Sequence, residues 1–119
     1  MDQNLLVERI KAHPDYSKVG MILTHHGVVR GTSRDGRPVS AVRLHVNPEQ
    51  IDGIIAAEKQ SPGIVEIIVE ITDKVDLSVG DDIMLIAVAG DIRENVLAAM
   101  SRMIDSVKQL VTSKTETFL

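Results

Sequence analysis

Four basic residues are the strongest candidates for chemistry in this chain: Arg30, Arg93, Lys108 and Lys114. Arg93 falls in the first turn of the predicted last helix, where a cation opposes the helix dipole. An anion held near that helix N-terminus would explain the arginine. Lys108 and Lys114 lie at and beyond the other end of the helix, where a dipole partner and a solvated charge are the simpler interpretations. The residues predict an anion site and leave both interpretations of the lysines open.

Histidine is the second candidate residue type, because its imidazole titrates near neutral pH. His26 shares a face of a predicted strand with Arg30, so the two side chains could line one polar site. His25 and His26 are adjacent in that strand and therefore point to opposite faces, which prevents them from sharing a metal ion. Surface or partly satisfied histidines are the simpler interpretation. We therefore predict no metal site.

Other familiar site chemistries lack their residues. The chain has no cysteine, which excludes disulfides, thiolate zinc sites, iron–sulfur clusters and cysteine nucleophiles. The glycine-rich phosphate loops GxxxxGK[ST] and GxGxxG are missing, as is the GxSxG motif of serine hydrolases. The carboxylates Asp81 and Asp82 suit a turn, and Glu66 and Glu70 suit a solvated strand face. We expect neither a resident cofactor nor general acid–base catalysis by a carboxylate pair.

Composition limits the class of protein. The 119 residues suit one domain spanning 1–119, and 44% hydrophobic residues can form one core. Tyr16 and Phe118 are the only aromatic residues, and the net charge is −4, which argues against nucleic-acid binding. The N-terminus lacks the apolar region of a signal peptide, and no window approaches the ~18 apolar residues of a membrane span. We expect a soluble, cytoplasmic protein without a membrane partner.

The first part of the chain predicts a helix over 2–12 and a strand over 20–30, in which Gly27 indicates a bulge. Residues 31–38 form a polar turn containing Asp35-Gly36, a strong hairpin signal. The strand that follows, 39–46, should then pair antiparallel with the first strand.

The middle of the chain predicts one helix and one strand. Asn47, followed by proline, has the type of a helix N-cap, and Ser61-Pro62-Gly63 ends that helix. A strand over 64–72 follows, with one fully apolar face. The connection over 73–80 is rich in turn residues and has room for a short extended piece at 75–77.

Residues 83–89, IMLIAVA, are apolar on both faces, which marks a central strand covered on both sides. The chain then turns at Gly90-Asp91 into the last helix. Asp91 and Glu94 have the spacing of a capping pair. The tail over 109–119 has no clear pattern.

These elements predict an α+β fold in the order α-β-β-α-β-β-α. Two antiparallel strand pairs, each followed by a helix, suggest a two-layer sandwich in which helices pack on a mostly antiparallel sheet.

The order of the motifs resembles a known family, the large, catalytic subunit of molybdopterin synthase, over roughly 20–116. The sequence GxVR is present at 27–30, and the block GDDIMLIAVAGDIR runs into the last helix. A lysine, Lys108, and then a lysine followed closely by an acid, Lys114-Thr115-Glu116, come in the family's order.

The resemblance implies an activity and partners. Large subunits of this family form homodimers, and each protomer accepts the C-terminal Gly-Gly tail of a small ubiquitin-like subunit. The tail's thiocarboxylate supplies sulfur to cyclic pyranopterin monophosphate, which becomes the dithiolene of molybdopterin. By this resemblance Arg30 and Arg93 would hold anionic groups of the substrate and the tail. Lys108 and Lys114 would be the active-site lysines, for covalent or acid–base assistance.

Two segments differ from the family pattern and keep alternatives open. Ile92 stands where the family has a histidine before its arginine. Residues 109–113 form a shorter segment between the lysines, without the family's proline and bulky aromatic residue. One alternative is a non-catalytic homodimeric relative that binds a pterin phosphate or another anion. The other is a homodimeric scaffold without a small ligand.

Overall fold

Three helices and two three-stranded antiparallel sheets make up the chain, so the predicted α+β class is confirmed. A computed structural model describes residues 1–119. None of its helices combines the length and apolar character needed to cross a membrane. The elements are α1 (Gln3–Lys11), β1 (Met21–Val28), β2 (Val39–Val46), α2 (Ile51–Glu58), β3 (Ile64–Ile71), β4 (Asp76–Ser78), β5 (Asp82–Gly90), α3 (Arg93–Leu110) and β6 (Thr112–Phe118), with 3₁₀ turns at Tyr16–Lys18 and Pro48–Gln50.

The first sheet has the strand order β1-β5-β3, with β5 in the centre as its apolar sequence predicts. The side chains from Met84 to Ala89 are at most 4% exposed. One face of β5 packs Ile86 and Val88 against α3, and α2 packs at the border of the same cluster. The other face packs Leu85 against α1. A continuous apolar strand is therefore stable here because helices cover both of its faces.

The second sheet has the order β4-β2-β6 and a smaller core. Val39, Val42 and Leu44 of β2 are buried together with Leu77 of β4 and Val29, the residue after β1. The extended piece predicted at 75–77 is therefore present as β4. Since Val29 enters the core of the second sheet directly after β1, this residue links the two sheets.

The predicted pairing of β1 with β2 is wrong. β1 pairs with β5, from Met21↔Gly90 to Val28↔Asp82, and β2 pairs with β4 and β6. The polar turn does form, with an isolated bridge between Thr32 and Pro38. However, the register shifts between Gly27 and Val28, as the bulge signal indicated, and the chain then leaves the first sheet. The two strands that flank the turn consequently belong to different sheets.

The tail over 109–119, whose sequence has no clear pattern, contains a strand that the sequence did not predict. Its first two residues complete α3, and Thr112–Phe118 forms β6, which pairs with β2 from Val39↔Phe118 to Val46↔Thr112. The strand's sequence, TSKTETF, is polar on both faces because β6 lies at the edge of the sheet. Hydrophobic alternation therefore gave no signal for it.

Two predicted helix caps are wrong in detail. Asn47 makes no capping hydrogen bond, and a 3₁₀ turn separates it from α2. At α3 the N-cap is Ile92, which has no side-chain acceptor. Asp91 instead accepts hydrogen bonds from the backbone N–H of Ile92 (2.6 Å) and from Asn95 Nδ2 (2.9 Å). These two bonds, the one from Asn95 first, lower the pKa of Asp91.

Candidate functional site

Three of the predicted cations, Arg30, Lys108 and Lys114, line one concavity between the two sheets and the end of α3. It has two adjoining compartments, which we call the cationic cavity. The larger compartment has a volume of about 360 Å³ and the smaller about 240 Å³. Lys108, Lys114, Ile83 and Arg34 line both compartments. The larger one is completed by Val28, Val29, Arg30, Thr32, Val42 and Glu116, and the smaller one by Leu44, Met84, Thr112 and Ser113.

Arg30 is positioned by the backbone that follows β1. Val29 beside it is buried, donates its N–H to the Asp81 carbonyl (2.9 Å) and accepts from the Gly80 N–H (2.8 Å). The Arg30 Nε–H donates to the Thr32 carbonyl at 2.9 Å. This bond occupies one donor of the guanidinium, and the two terminal nitrogens remain available for an anion. Arg30 is therefore a fixed cation with an open binding edge.

The two lysines reach the cavity from different elements. Lys108 lies in the last turn of α3, where the negative end of the helix dipole favours a cation. Lys114 lies on β6 opposite Leu44 of β2, and alternation puts it on the same face as Glu116. Between them Val111 is 2% exposed, and its carbonyl accepts from the Asn47 N–H at 2.7 Å. The shortened segment between the lysines is thus anchored, and both lysines reach one cavity.

The charge of the cavity contrasts with that of the chain. The protein has a formal charge of −4, yet four cations and one carboxylate line this concavity. Arg30, Arg34, Lys108 and Lys114 form no ion pair within the chain, whose ion pairs all lie elsewhere. A group of unpaired like charges creates a local positive potential that attracts an anionic ligand. The cavity can therefore bind an anion next to two lysine amines.

His25 lies close to this cavity on β1. Burial lowers its pKa from the ordinary value of 6.5, and the nearby Lys108 and then His26 lower it further. An ideal Cβ on Gly27 would lie 3.6 Å from His25 Nε2, an ordinary contact distance, so the imidazole lies beside Gly27 on the same face of β1. His25 is consequently a neutral neighbour of Lys108 at pH 7.

His26, a predicted site residue, does not line the cationic cavity. Its Nε2 lies 2.6 Å from Asp82 Oδ1, across the pair of strands β1 and β5. Sharing a strand face with Arg30 does not bring the two side chains together, because the bulge at Gly27 changes the alternation between them.

Arg93 also lies apart from the other cations. It is the first residue of α3, and Lys108 follows 15 residues later, a helical rise of about 22 Å. The Arg93 side chain is 75% exposed and lies 3.6 Å from Glu94 Oε1. Within one chain, Arg93 and the lysines therefore do not form one site.

Arg34 and Thr32 also line the cavity, and neither was predicted as a site residue; both belong to the turn between β1 and β2. The turn was interpreted only as a polar connection. The available signal was a second arginine four residues after Arg30 in a tight turn, whose two ends must lie close together. Glu116 was identified in the sequence only as the acid that follows the second lysine, and it too lines the cavity.

The largest concavity of the chain, about 680 Å³, lies elsewhere. Carboxylates dominate its charged lining: Glu70, Asp73, Asp81 and Asp82, with Lys74 as the single basic side chain. Such a lining repels anions, so volume alone does not identify the site. The cationic cavity is smaller than this acidic concavity, but it has the convergent polar groups that a binding site needs.

Comparison of the chain with known protein families finds a match over most of its length. The MoaE protein family matches residues 1–110. A comparison with curated protein sequences found no significant match.

Solved structures share the fold of the chain at low sequence identity. The molybdopterin cofactor biosynthesis protein E of Burkholderia multivorans aligns with a TM-score of 0.76 and 23% identity, over 100% of this chain and 82% of the other. Molybdopterin synthase from Staphylococcus aureus gives 0.72 and 19%, over 86% and 77%. A complex of subunits 1 and 2 of the molybdopterin-converting factor from Helicobacter pylori gives 0.70 and 15%, over 99% and 80%.

Proposed function

Because the chain belongs to the MoaE family of molybdopterin synthase large subunits, we propose that it acts in molybdenum cofactor biosynthesis as a sulfur-transfer enzyme. Its substrate is cyclic pyranopterin monophosphate, and its product is molybdopterin. The observation that carries this proposal is the convergence of Arg30, Lys108 and Lys114 on one cavity. A cytoplasmic location stays a prediction.

The proposed chemistry needs an anion holder and an amine beside it. Arg30 holds an anionic group of a reactant through its free terminal nitrogens, as arginine does with phosphate or carboxylate. Lys108 and Lys114 line both compartments, so each amine is available where the sulfur donor and the pterin meet. Either lysine then assists sulfur transfer, through a covalent intermediate or by moving a proton.

A small ubiquitin-like subunit with a Gly-Gly thiocarboxylate is the proposed sulfur donor. The fold neighbour from Helicobacter pylori is a complex of two subunits, which supports a two-subunit arrangement for this chain. The smaller compartment, with Leu44 and Met84 in its wall, suits a narrow tail without side chains. We place the tail there and the pterin in the larger compartment.

A homodimer is the proposed assembly because it gives Arg93 a place in the reaction. Within one chain Arg93 lies about 22 Å along α3 from Lys108, too far to contact the same ligand. In a dimer, the α3 N-terminus of a second copy can approach the cationic cavity, and its Arg93 then contributes a further cation.

Mixing Arg93→Ala and Lys108→Ala chains should then restore part of the activity that each variant lacks alone. Mixtures without recovery would contradict a shared site.

A non-catalytic, anion-binding relative is the second candidate function. The observation that favours it is Ile92, which is 53% exposed at the start of α3 and replaces the family's histidine. An exposed isoleucine neither transfers a proton nor binds an anion. In this alternative the cationic cavity binds a pterin phosphate, and no sulfur is transferred.

Reconstitution separates these two functions. The purified chain is mixed with the thiocarboxylated partner and cyclic pyranopterin monophosphate, and the dithiolene product is measured. An established large subunit serves as the positive control. We expect product from both proteins. If only the positive control forms product while calorimetry shows pterin phosphate binding to this chain, the enzyme proposal is wrong and the binding alternative stands.

A further inference from the structure

The turn between β1 and β2 carries a second arginine at the cationic cavity. We propose that Arg34 and Arg30 form a two-armed clamp for the phosphate group of the substrate, in the larger compartment. This inference rests on the proposed function for the identity of the phosphate ester. It adds a specificity-determining residue to the site, one that selects a phosphorylated pterin over the unphosphorylated compound.

The backbone of the turn is closed by its own hydrogen bonds, which fix the place of Arg34. Ser33 is 7% exposed, and its N–H donates to the Arg37 carbonyl at 2.9 Å. The Ser33 hydroxyl accepts from the Arg37 N–H at 3.1 Å and contacts the Asp35 carboxylate. The Gly36 N–H donates to the Ser33 carbonyl at 3.0 Å. Arg34 therefore extends from a preorganised turn, which reduces the entropy lost on binding.

The side chain of Arg34 has no partner within the protein. It is exposed, forms no hydrogen bond and no ion pair, and lines both compartments of the cavity. The neighbouring arginine of the turn differs, because the Arg37 guanidinium lies 3.7 Å from the centre of the Phe118 ring. Of these two side chains, Arg34 is thus the one available to a ligand.

The placement of the two arginines favours the phosphate over the tail carboxylate as the occupant. Both anions present oxygen atoms that an arginine binds in a forked geometry. Arg30 and Arg34 both line the larger compartment, whereas Arg34 alone lines the smaller one. A volume of about 360 Å³ suits the fused rings of a pterin, and the compartment of about 240 Å³ suits a diglycine tail. The pair of arginines therefore belongs to the pterin side.

Thermal unfolding with inorganic phosphate tests the clamp without any need for activity. A ligand that binds the folded state raises the melting temperature. In phosphate buffer, compared with chloride at equal ionic strength, we expect the wild type to gain stability and Arg34→Gln to lose most of that gain. Arg34→Lys keeps the positive charge but loses the forked donor geometry of the guanidinium, so this variant should retain part of the stabilisation by phosphate. Arg43→Gln is the matched control, because Arg43 lies between Val42 and Leu44 on β2 and points away from the cavity.

Binding titrations then distinguish the two sources of the anion. We expect Arg34→Gln to weaken the binding of cyclic pyranopterin monophosphate about tenfold, the value of one charge-assisted contact, and to weaken the binding of a peptide ending in Gly-Gly less. An equal phosphate response in wild type and Arg34→Gln, or a loss confined to the peptide, would overturn the clamp. If Arg34→Gln loses phosphate binding as expected but the wild-type protein transfers no sulfur, the proposed function is wrong and the clamp is not. If Arg34→Gln binds and turns over like wild type, the clamp fails alone.

Discussion

At the scale of single residues, the site depends on side chains whose charges are not neutralised by the rest of the chain. Lys108 is the clearest case, since it has no ion-pair partner and still affects a neighbour: it contributes to the lowered pKa of His25, after burial. Unpaired cations in a cavity cost stability through mutual repulsion, and a protein retains them where they bind a ligand. Lys11 on α1 differs from Lys108, because its amine lies 3.9 Å from the Glu8 carboxylate and therefore has an ion-pair partner.

The lowered pKa of His25 predicts a dependence of stability on pH. In the unfolded chain the imidazole binds a proton near pH 6.5, whereas the folded chain binds it only at lower pH. The unfolded state then binds more protons between these two values, so the free energy of unfolding falls as the pH falls through 6.5. We expect urea midpoints to decrease from pH 7.5 to 5.5 in the wild type, and less in His25→Gln. His45→Gln, an exposed position on β2, is the control. Equal slopes in all three proteins would contradict the placement of His25.

At the scale of elements, α3 holds the site together, and its two ends are built differently. Its C-terminal end is anchored by Val107 and Val111, both nearly inaccessible to solvent, and carries Lys108 between them. Its N-terminal end begins at Ile92, which has extended backbone angles and no capping side chain. The first N–H groups of the helix there lack an acceptor from the N-cap residue. The C-terminal end of α3, which carries Lys108, is therefore the better-anchored one.

Replacing Ile92 by serine should stabilise the protein. A serine hydroxyl in this extended N-cap position accepts from a free helix N–H, a contribution of about 1 kcal/mol. The isoleucine is 53% exposed, so little packing is lost. The measurement is the free energy of unfolding from urea titration. Leu97→Ser, which removes a similarly exposed apolar side chain further along α3, lacks the cap and should not stabilise. Equal effects of both substitutions would argue against the uncapped N-terminus.

Gly63, directly before β3, should not tolerate a side chain. Its φ of +76° disfavours other residues, and an added Cβ would overlap the side chains of Asp91, which precedes α3, and of Asn95 in its first turn. Gly80 provides the control, since its φ is +91° but open space surrounds it. We expect Gly80→Ala to cost about 1 kcal/mol for the backbone alone and Gly63→Ala about 3 kcal/mol. Urea unfolding measures both, and equal costs would contradict the close packing between β3 and α3.

At the scale of the whole molecule, local sequence patterns predicted the elements better than their pairing. β5 and α3 were predicted because their apolar periodicity is strong and their burial follows from it. The pairing of β1 with β5 joins residues more than 50 positions apart, and a strong hairpin signal at Asp35-Gly36 favoured the wrong partner. β6 was missed because an edge strand needs no apolar face.

The same distinction explains which site residues the sequence predicted. Lys108 lies in the last turn of α3, Lys114 lies six residues beyond Lys108, and only the family resemblance assigned both lysines to one site. Arg34 reaches the cavity only through the hydrogen-bonded shape of its turn, which residue types do not determine. His26 and Arg93 were assigned by strand face and helix position, and the bulge at Gly27 and the length of α3 separate them from the cavity within one chain.

In the proposed function, Lys108 in the cationic cavity promotes sulfur transfer. Its direct test is the single-turnover rate of pterin conversion with saturating thiocarboxylated partner, compared between wild type, Lys108→Ala and Lys11→Ala. Loss of a group that assists covalently or by proton transfer lowers a rate by about a hundredfold or more. We predict such a loss for Lys108→Ala, with binding of the pterin reduced far less, and no change for Lys11→Ala. If Lys108→Ala lowers the rate by no more than a factor of about two, Lys108 does not promote sulfur transfer.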